Sequence, residues 1–378
     1  MPGIYILTHE FRPKRGGAGM VCEQLAETLH RTGHEVTVWA PEYVDRDTGF
    51  HPGYGLKGIP GLKGTLNPGS LLAIAKQVLR ERKGELRDAV VYLGEPGPVA
   101  GFFYLTLFCK PFWKRLILTL HGSEIERYRA NPVSGWLFKR LLKKVDTVHV
   151  LSTYNADKLT AWIPEISSKL VKGYGMLLPR ETLPDLDEKQ SIQNRAKVQL
   201  LCVGRIHPRK GQHELLQAVS TLSSDIQRNL KVKFVGQFVK DTYYRRVAQI
   251  AESCEAEIEF TGGLPDEALE AEYLAADIFA LTSVPYRASI EGLGLVYLEA
   301  SRHGLPVLAN RIGGVPDVVI HGRNGYLSEP GDIKQLAANL EMLVRNPVLR
   351  RQLGYAGREM VAEHTWEDVV RKLFPDAS

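Results

Sequence analysis

Long apolar runs are missing from these 378 residues. The longest, Val99 to Cys109, covers about half of the roughly 20 residues a helix needs to span a bilayer, so no transmembrane helix is expected. Cysteine is scarce. Cys22, Cys109, Cys202 and Cys254 stand far apart with no CxxC pair, which argues against a zinc site or a disulfide framework and fits a reducing compartment. The first residues, MPGIYILTHEFRP, lack both a basic leader and a small-residue cleavage site. A cytoplasmic location, at most against the inner face of a membrane, is the expectation. GxSxG, the Walker lysine motif and HExxH are also absent, and each of these would have announced a different chemistry.

A composition of 44% hydrophobic and 24% charged residues is that of a globular protein, and the length calls for two domains. The net charge of +5 is unevenly spread: residues 1–178 carry 24 Lys/Arg against 16 Asp/Glu, and residues 179–378 carry 24 against 27. Most of the basic excess lies in residues 51–150, with Phe108, Phe112, Trp113, Trp136 and Phe138 among it. A solvated basic surface explains this. So does peripheral contact with anionic lipid, where clustered Lys/Arg contribute about 1 kcal/mol each. Nucleic acid is not expected as a partner, because no reader motif accompanies the charge.

Strand-like runs alternate with helix-period segments throughout: 4–9, helix 17–31, 35–40, 90–93, 116–122 and 147–152. Such alternation predicts an α/β fold with a parallel sheet covered by helices on both faces. Residues 179–197 are polar and aperiodic, as a linker would be. The alternation then restarts at 198–204 and continues through helix 211–222, strand 231–237, helix 241–254, strand 257–263, helix 265–276, strand 277–283, helix 291–302 and strand 306–311. The tail is predicted helical from Asp332 to about Phe374, broken near Asn346-Pro347 and His364-Thr365. The prediction is two Rossmann-like doubly wound domains facing across a cleft, with ligands in the loops that follow the strands.

Four of those loops carry candidate chemistry. Glu291-Gly292-Leu293-Gly294-Leu295, with Glu299 further on, reads as a helix opening near Gly292, whose N–H groups would face a diphosphate. Glu291 would then accept from sugar hydroxyls and Glu299 from a ribose. Gly204-Arg205-Ile206-His207-Pro208-Arg209-Lys210-Gly211 follows the first strand of the second half, which places Arg205 and Lys210 to hold the same diphosphate. Gly16 and Gly17, reached through Thr8-His9-Glu10-Phe11-Arg12-Pro13, would let the main chain approach a phosphate or sugar. They do not form GxGxxG, and no acidic residue follows the second strand, which argues against a dinucleotide oxidoreductase. His121 ends the run LILTL, where it would meet the transferred sugar. Gly236, Gly263 and Leu264 end neighbouring strands and would line a nucleobase through the backbone, whereas Gly313-Gly314 reads as structural.

In these motifs, above all EGLGLVYLEA (291–300), LPVLANRIGGVPDVVIHGRNGYL (305–327) and VGRIHPRKG (203–211), the chain resembles the family 4 retaining glycosyltransferases of the GT-B type. The resemblance covers nearly the whole length. It implies an N-terminal acceptor domain (1–178), a C-terminal donor domain (179–359) and a last helix (360–378) crossing back to the first domain. It also implies that Arg205 and Lys210 hold the donor diphosphate, Glu291 the donor sugar and Glu299 the ribose, that His121 faces the transferred sugar, and that Gly17 approaches the donor by its main chain.

The implied activity is transfer, with retention and without a metal or other cofactor, of a hexose from a UDP-, GDP- or ADP-sugar to a lipid-linked, saccharide or small-molecule acceptor. The chain departs from the family pattern at Ala18-Gly19-Met20-Val21 and at Gly173-Tyr174-Gly175, both on the acceptor or hinge side. The acceptor is expected at the loop spanning residues 42–68. A sugar-nucleotide epimerase on the same fold, or a non-catalytic membrane-docking relative, remain as alternatives.

Overall fold

The computed structural model of the chain describes residues 2–13, 16–46, 49–63, 67–176, 197–287 and 289–375. The predicted linker lies outside them except for Lys197. The chain divides into two compact units, one of residues 1–177 with 364–378 and the other of residues 178–363.

The first unit holds seven strands: β1 (Ile4–Leu7), β2 (Val36–Pro41), β3 (Gly55–Ile59), β4 (Val90–Leu93), β5 (Arg115–Leu120), β6 (Thr147–Val150) and β7 (Leu170–Lys172). They pair in parallel in the order β3-β2-β1-β4-β5-β6-β7. Parallel neighbours cannot be joined by a tight turn, so helices cross over between them and cover both faces. All four β4 residues are buried, as the unbroken apolar run VVYL requires of a central strand. The second unit repeats the arrangement with β8 (Val198–Val203), β9 (Leu230–Val235), β10 (Glu257–Gly262), β11 (Ile278–Leu281), β12 (Val307–Asn310) and β13 (Gly325–Ser328), in the order β10-β9-β8-β11-β12-β13.

The tail follows its sequence signals closely. Asp332 accepts from Gln335 N at 3.0 Å and opens helix Ile333–Arg345, which buries Leu336, Leu340, Leu343 and Val344 on one face. Asn346 then caps Pro347–Ala362, with proline at its first position. Thr365 caps Trp366–Leu373, which buries Trp366, Val369, Val370 and Leu373 within the first unit. There Trp366 Nε1 donates to Gln24 Oε1 at 2.6 Å, and Tyr174 stacks on His364 with ring centroids 4.9 Å apart.

The structure corrects three expectations. The segment 42–68 is not simply a loop, because it contains β3, whose Leu56 pairs with Val38 of β2. The helix expected to open at 291 opens at Leu295, after Gly294 takes φ 89°. Trp113 and Phe138 do not belong to a surface: they are 8% and 0% exposed and pack in the core, while Phe108 (85%) and Trp136 (58%) are exposed.

Candidate active site

The second unit assembles its site on the loop after β8 and the loop after β11, adjacent strands at the point where the strand order reverses. Gly211 makes the first of these loops possible. It takes φ 66°, and a Cβ there would sit on the carbonyl oxygen of Thr282, so only glycine fits. Thr282 Oγ donates to Gly211 O at 2.8 Å, and Asn310 Nδ2 donates both to Thr282 O and to Glu214 Oε2. These bonds tie the two loops together.

At their junction Glu291, 7% exposed, accepts from Lys210 Nζ at 2.7 Å, Arg209 Nη1 at 3.1 Å and Ser283 Oγ at 3.0 Å. Gly313 and Gly314 support it from behind: Gly314 N donates to Glu291 O at 3.1 Å, and a Cβ on Gly313 would strike that same carbonyl. The structural reading of that glycine pair thus acquires a specific purpose.

Burial opposes ionisation of Glu291, but Lys210 and Arg209 outweigh it and hold the carboxyl at about 2. Burial pushes Lys210 below its ordinary value against the pull of Glu291. The 2.7 Å contact with Glu291 favours the ammonium form of Lys210 against that burial. Two cations then face one carboxylate, leaving a surplus positive charge that suits an anion of more than one charge. Removing one partner of such a buried pair costs about 3–5 kcal/mol, because the other is left charged and unpaired.

Lys210 and Glu291 therefore meet, whereas Arg205 is exposed and has no ion pair among the described residues. Arg209 and Ser283 were missed in the sequence. Arg209 stood beside Lys210 in the quoted loop, and Ser283 ends the strand run DIFALTS, so the signal was position after a strand.

Glu291 and Gly292 precede the helix Leu295–Arg302, and Gly294 is its first flanking residue, so Glu291 and Glu299 do not share one helix. Leu293 is buried, and Leu295 begins the helix. No side chain caps this end. Of its first N–H groups, that of Tyr297 donates to Gly294 O at 3.1 Å, while those of Leu295 and Val296 come too early in the helix for an intrahelical acceptor. Glu299 is partly buried, and its Oε2 accepts from Tyr273 Oη at 2.7 Å. Tyr273 in turn stacks on His303, centroids 5.0 Å apart. Gly204 and Gly236 lie against one another, since a Cβ on Gly236 would overlap the Gly204 carbonyl, and Gly263 and Leu264 follow β10.

His121, Gly16 and Gly17 belong to the first unit. His121 follows β5, and its Nε2 lies 2.8 Å from Gly94 O. A carbonyl only accepts, so Nε2 carries the proton. The backbone N–H of His121 is bound by Glu124. Gly16 flanks helix Gly17–Arg31 without a side-chain cap, and its own N–H donates to Glu10 Oε2 at 3.1 Å. A Cβ on Gly17 would meet nothing within 4 Å, so close packing against this protein is not what selects glycine there.

Residues 185–360 match the family described as glycosyl transferases group 1, and residues 15–170 match glycosyltransferase family 4. The chain is 27% identical to the GDP-mannose-dependent alpha-(1-6)-phosphatidylinositol monomannoside mannosyltransferase of Mycolicibacterium smegmatis, over 96% of this chain and 94% of that one. It is 24% identical to the N-acetyl-alpha-D-glucosaminyl L-malate synthase of Bacillus anthracis, over 93% of this chain and 90% of that one. Among solved structures, the sucrose-phosphate synthase of Thermosynechococcus elongatus shares the fold with a TM-score of 0.79 at 21% identity, covering 100% of both chains. This chain, with two parallel α/β sheets and matches that together run from residue 15 to residue 360, belongs to the family 4 glycosyltransferases of GT-B fold.

Proposed function

We propose that this glycosyltransferase moves a hexose, with retention of configuration, from a nucleotide diphosphate sugar to a lipid-linked acceptor, and that its own cations replace a metal ion at the diphosphate. The observation that carries this reading is the contact of Lys210 and Arg209 with the buried Glu291. As the glycosidic bond breaks, negative charge grows on the departing diphosphate and positive charge on the sugar. Lys210 and Arg209 stabilise the first charge, with Arg205 on the same loop and the uncapped end of helix Leu295–Arg302 shortly after Glu291. Glu291 aligns the two cations and accepts from the sugar hydroxyls, while Glu299, oriented by Tyr273, takes the ribose. His121 offers Nδ1 to the transferred sugar, its other nitrogen being engaged with Gly94.

GDP-mannose is the first donor to test, and a phosphatidylinositol mannoside the first acceptor, because the mycolicibacterial relative is named for both. No helix of the described residues is long and apolar enough to cross a membrane. A lipid acceptor would instead be met at the surface where exposed Tyr104, Phe108, Val133 and Trp136 accompany exposed Lys110, Lys114, Lys139 and Lys143.

The test is a thermal-shift screen of GDP-, UDP- and ADP-sugars with and without EDTA. A donor at about 100 times its Kd adds roughly 2.7 kcal/mol of stability. Proton NMR of the product's anomeric coupling then reads retention. No shift with any sugar nucleotide, or a shift and turnover that vanish with EDTA, would overturn the metal-free donor site.

A further inference from the structure

One cluster of titratable groups has no part in donor binding. The strand order of the first sheet reverses between β1 and β4, the position at which an open parallel sheet takes its ligand. His9 follows β1, and Glu95 follows β4 at the start of helix Pro96–Phe108. Glu95 is 1% exposed. Its Oε1 accepts from the Thr8 hydroxyl, from His9 N and, at 2.8 Å, from Glu10 N, which uses that oxygen fully. Its Oε2 lies 3.1 Å from His9 Nδ1, an ion-pair distance. That nitrogen is buried and has no hydrogen bond of its own, which leaves the carboxylate as its neighbour at ion-pair distance. Gly97 leaves room for the ring, since a Cβ there would lie 2.5 Å from Nδ1.

The surroundings of His9 carry negative charge. Glu10 shares its loop, Glu95 comes from the end of β4, and helix Gly17–Arg31 contributes Cys22, whose thiol burial keeps neutral. Tyr43 approaches through its bond to Phe11 O, and Arg12 is paired with Glu23. Burial lowers the pKa of His9, yet Glu95 and Glu10 outweigh it and leave the imidazole above its ordinary value. With Nδ1 turned to a carboxylate, Nε2 is the lone-pair acceptor.

We propose that His9 is a catalytic base for the acceptor alcohol and that Glu95 is its positioning residue. On the face from which the diphosphate departs, as retention requires, the hydroxyl oxygen bonds to the anomeric carbon as the bond from that carbon to the diphosphate breaks. The bond's electron pair leaves on the diphosphate, and the hydroxyl proton passes to His9 Nε2. This rests on the transferase reading above.

The test uses the full chain with GDP-mannose and phosphatidylinositol monomannoside in mixed micelles. His9→Gln is expected to lower transfer by about 10²- to 10⁴-fold. Its thermal stabilisation by GDP-mannose should match that of the wild type. Glu95→Gln is expected to shift the acid limb of the kcat/KM profile to lower pH, because it removes what raises His9. Should Glu95→Gln fail to fold, ring-nitrogen NMR of the wild type must still show His9 protonated at Nδ1 and bare at Nε2. Full transfer by His9→Gln, an unmoved acid limb, the opposite tautomer, or a rate that EDTA abolishes would each overturn the base. If the wild type neither binds nor consumes any sugar nucleotide, the transferase reading fails instead.

Discussion

The two units present opposite electrostatic faces at corresponding places in similar sheets. After β8 and β11, two cations enclose one carboxylate, whereas after β1 and β4, two carboxylates face one histidine. In the reaction proposed above, the first arrangement would hold a polyanion and the second would receive a proton. Two doubly wound sheets thus carry different chemistry in the loops that follow corresponding strands.

The comparison breaks most readily at Lys210. Lys210→Ala should cost about 10²- to 10³-fold in kcat, the usual loss for one donor to a developing anion, read by steady-state release of the nucleoside diphosphate. Near-normal turnover would remove the cationic half. Of comparable size is Trp366→Ala, expected to destabilise by about 3–5 kcal/mol through a core cavity, read by chemical denaturation. The loss should fall on the unfolding of the first unit, because Trp366 packs there beside Gln24.

Much of this was legible in advance. Apolar strand runs separated by helical periods located five strands of each sheet, and Asn346-Pro347 and Thr365 marked the helix breaks correctly because a cap and a proline act locally. β3 was missed because three of the five residues of GLKGI are glycine or lysine, and β7 and β13 because runs of three and four residues carry too little apolar pattern. The start of helix Leu295–Arg302 was misplaced because nothing local distinguishes Gly292 from Gly294, whose positive φ ends the turn. Lys210 and Glu291 were each visible as a residue after a strand, but their contact is not a local property. His9 and Glu95 stand 86 residues apart, and only the pairing of β1 with β4 joins them.

A smaller effect sharpens the contrast within the donor half. Tyr273→Phe removes the hydroxyl that donates to Glu299, and should weaken nucleotide binding by about 1.5–3 kcal/mol, the usual worth of a hydrogen bond to a charged group. Titration calorimetry should show that loss for ribonucleotides and a smaller one for 3′-deoxy analogues. An equal loss for both would detach Glu299 from the ribose.

A last effect is one of sign. Glu291 is depressed to about 2, so its contribution to stability is present above its unfolded value near 4.5 and is lost as pH falls through 2. His9 is raised, so its contribution is full below the ordinary histidine value near 6.5 and is lost as pH rises through its folded pKa. Melting curves of Glu291→Gln and His9→Gln against wild type, taken across pH, should therefore converge at opposite ends of the range.

The central claim is that a diphosphate is held by Lys210 and Arg209 around Glu291. Titration calorimetry of guanosine, GMP and GDP into wild type and Lys210→Ala, at two salt concentrations, tests it most directly. A large gain in affinity from GMP to GDP that is salt-sensitive in the wild type and mostly lost in the variant is the expected result. Equal affinities for GMP and GDP in the wild type, or a gain that survives in Lys210→Ala, would contradict it.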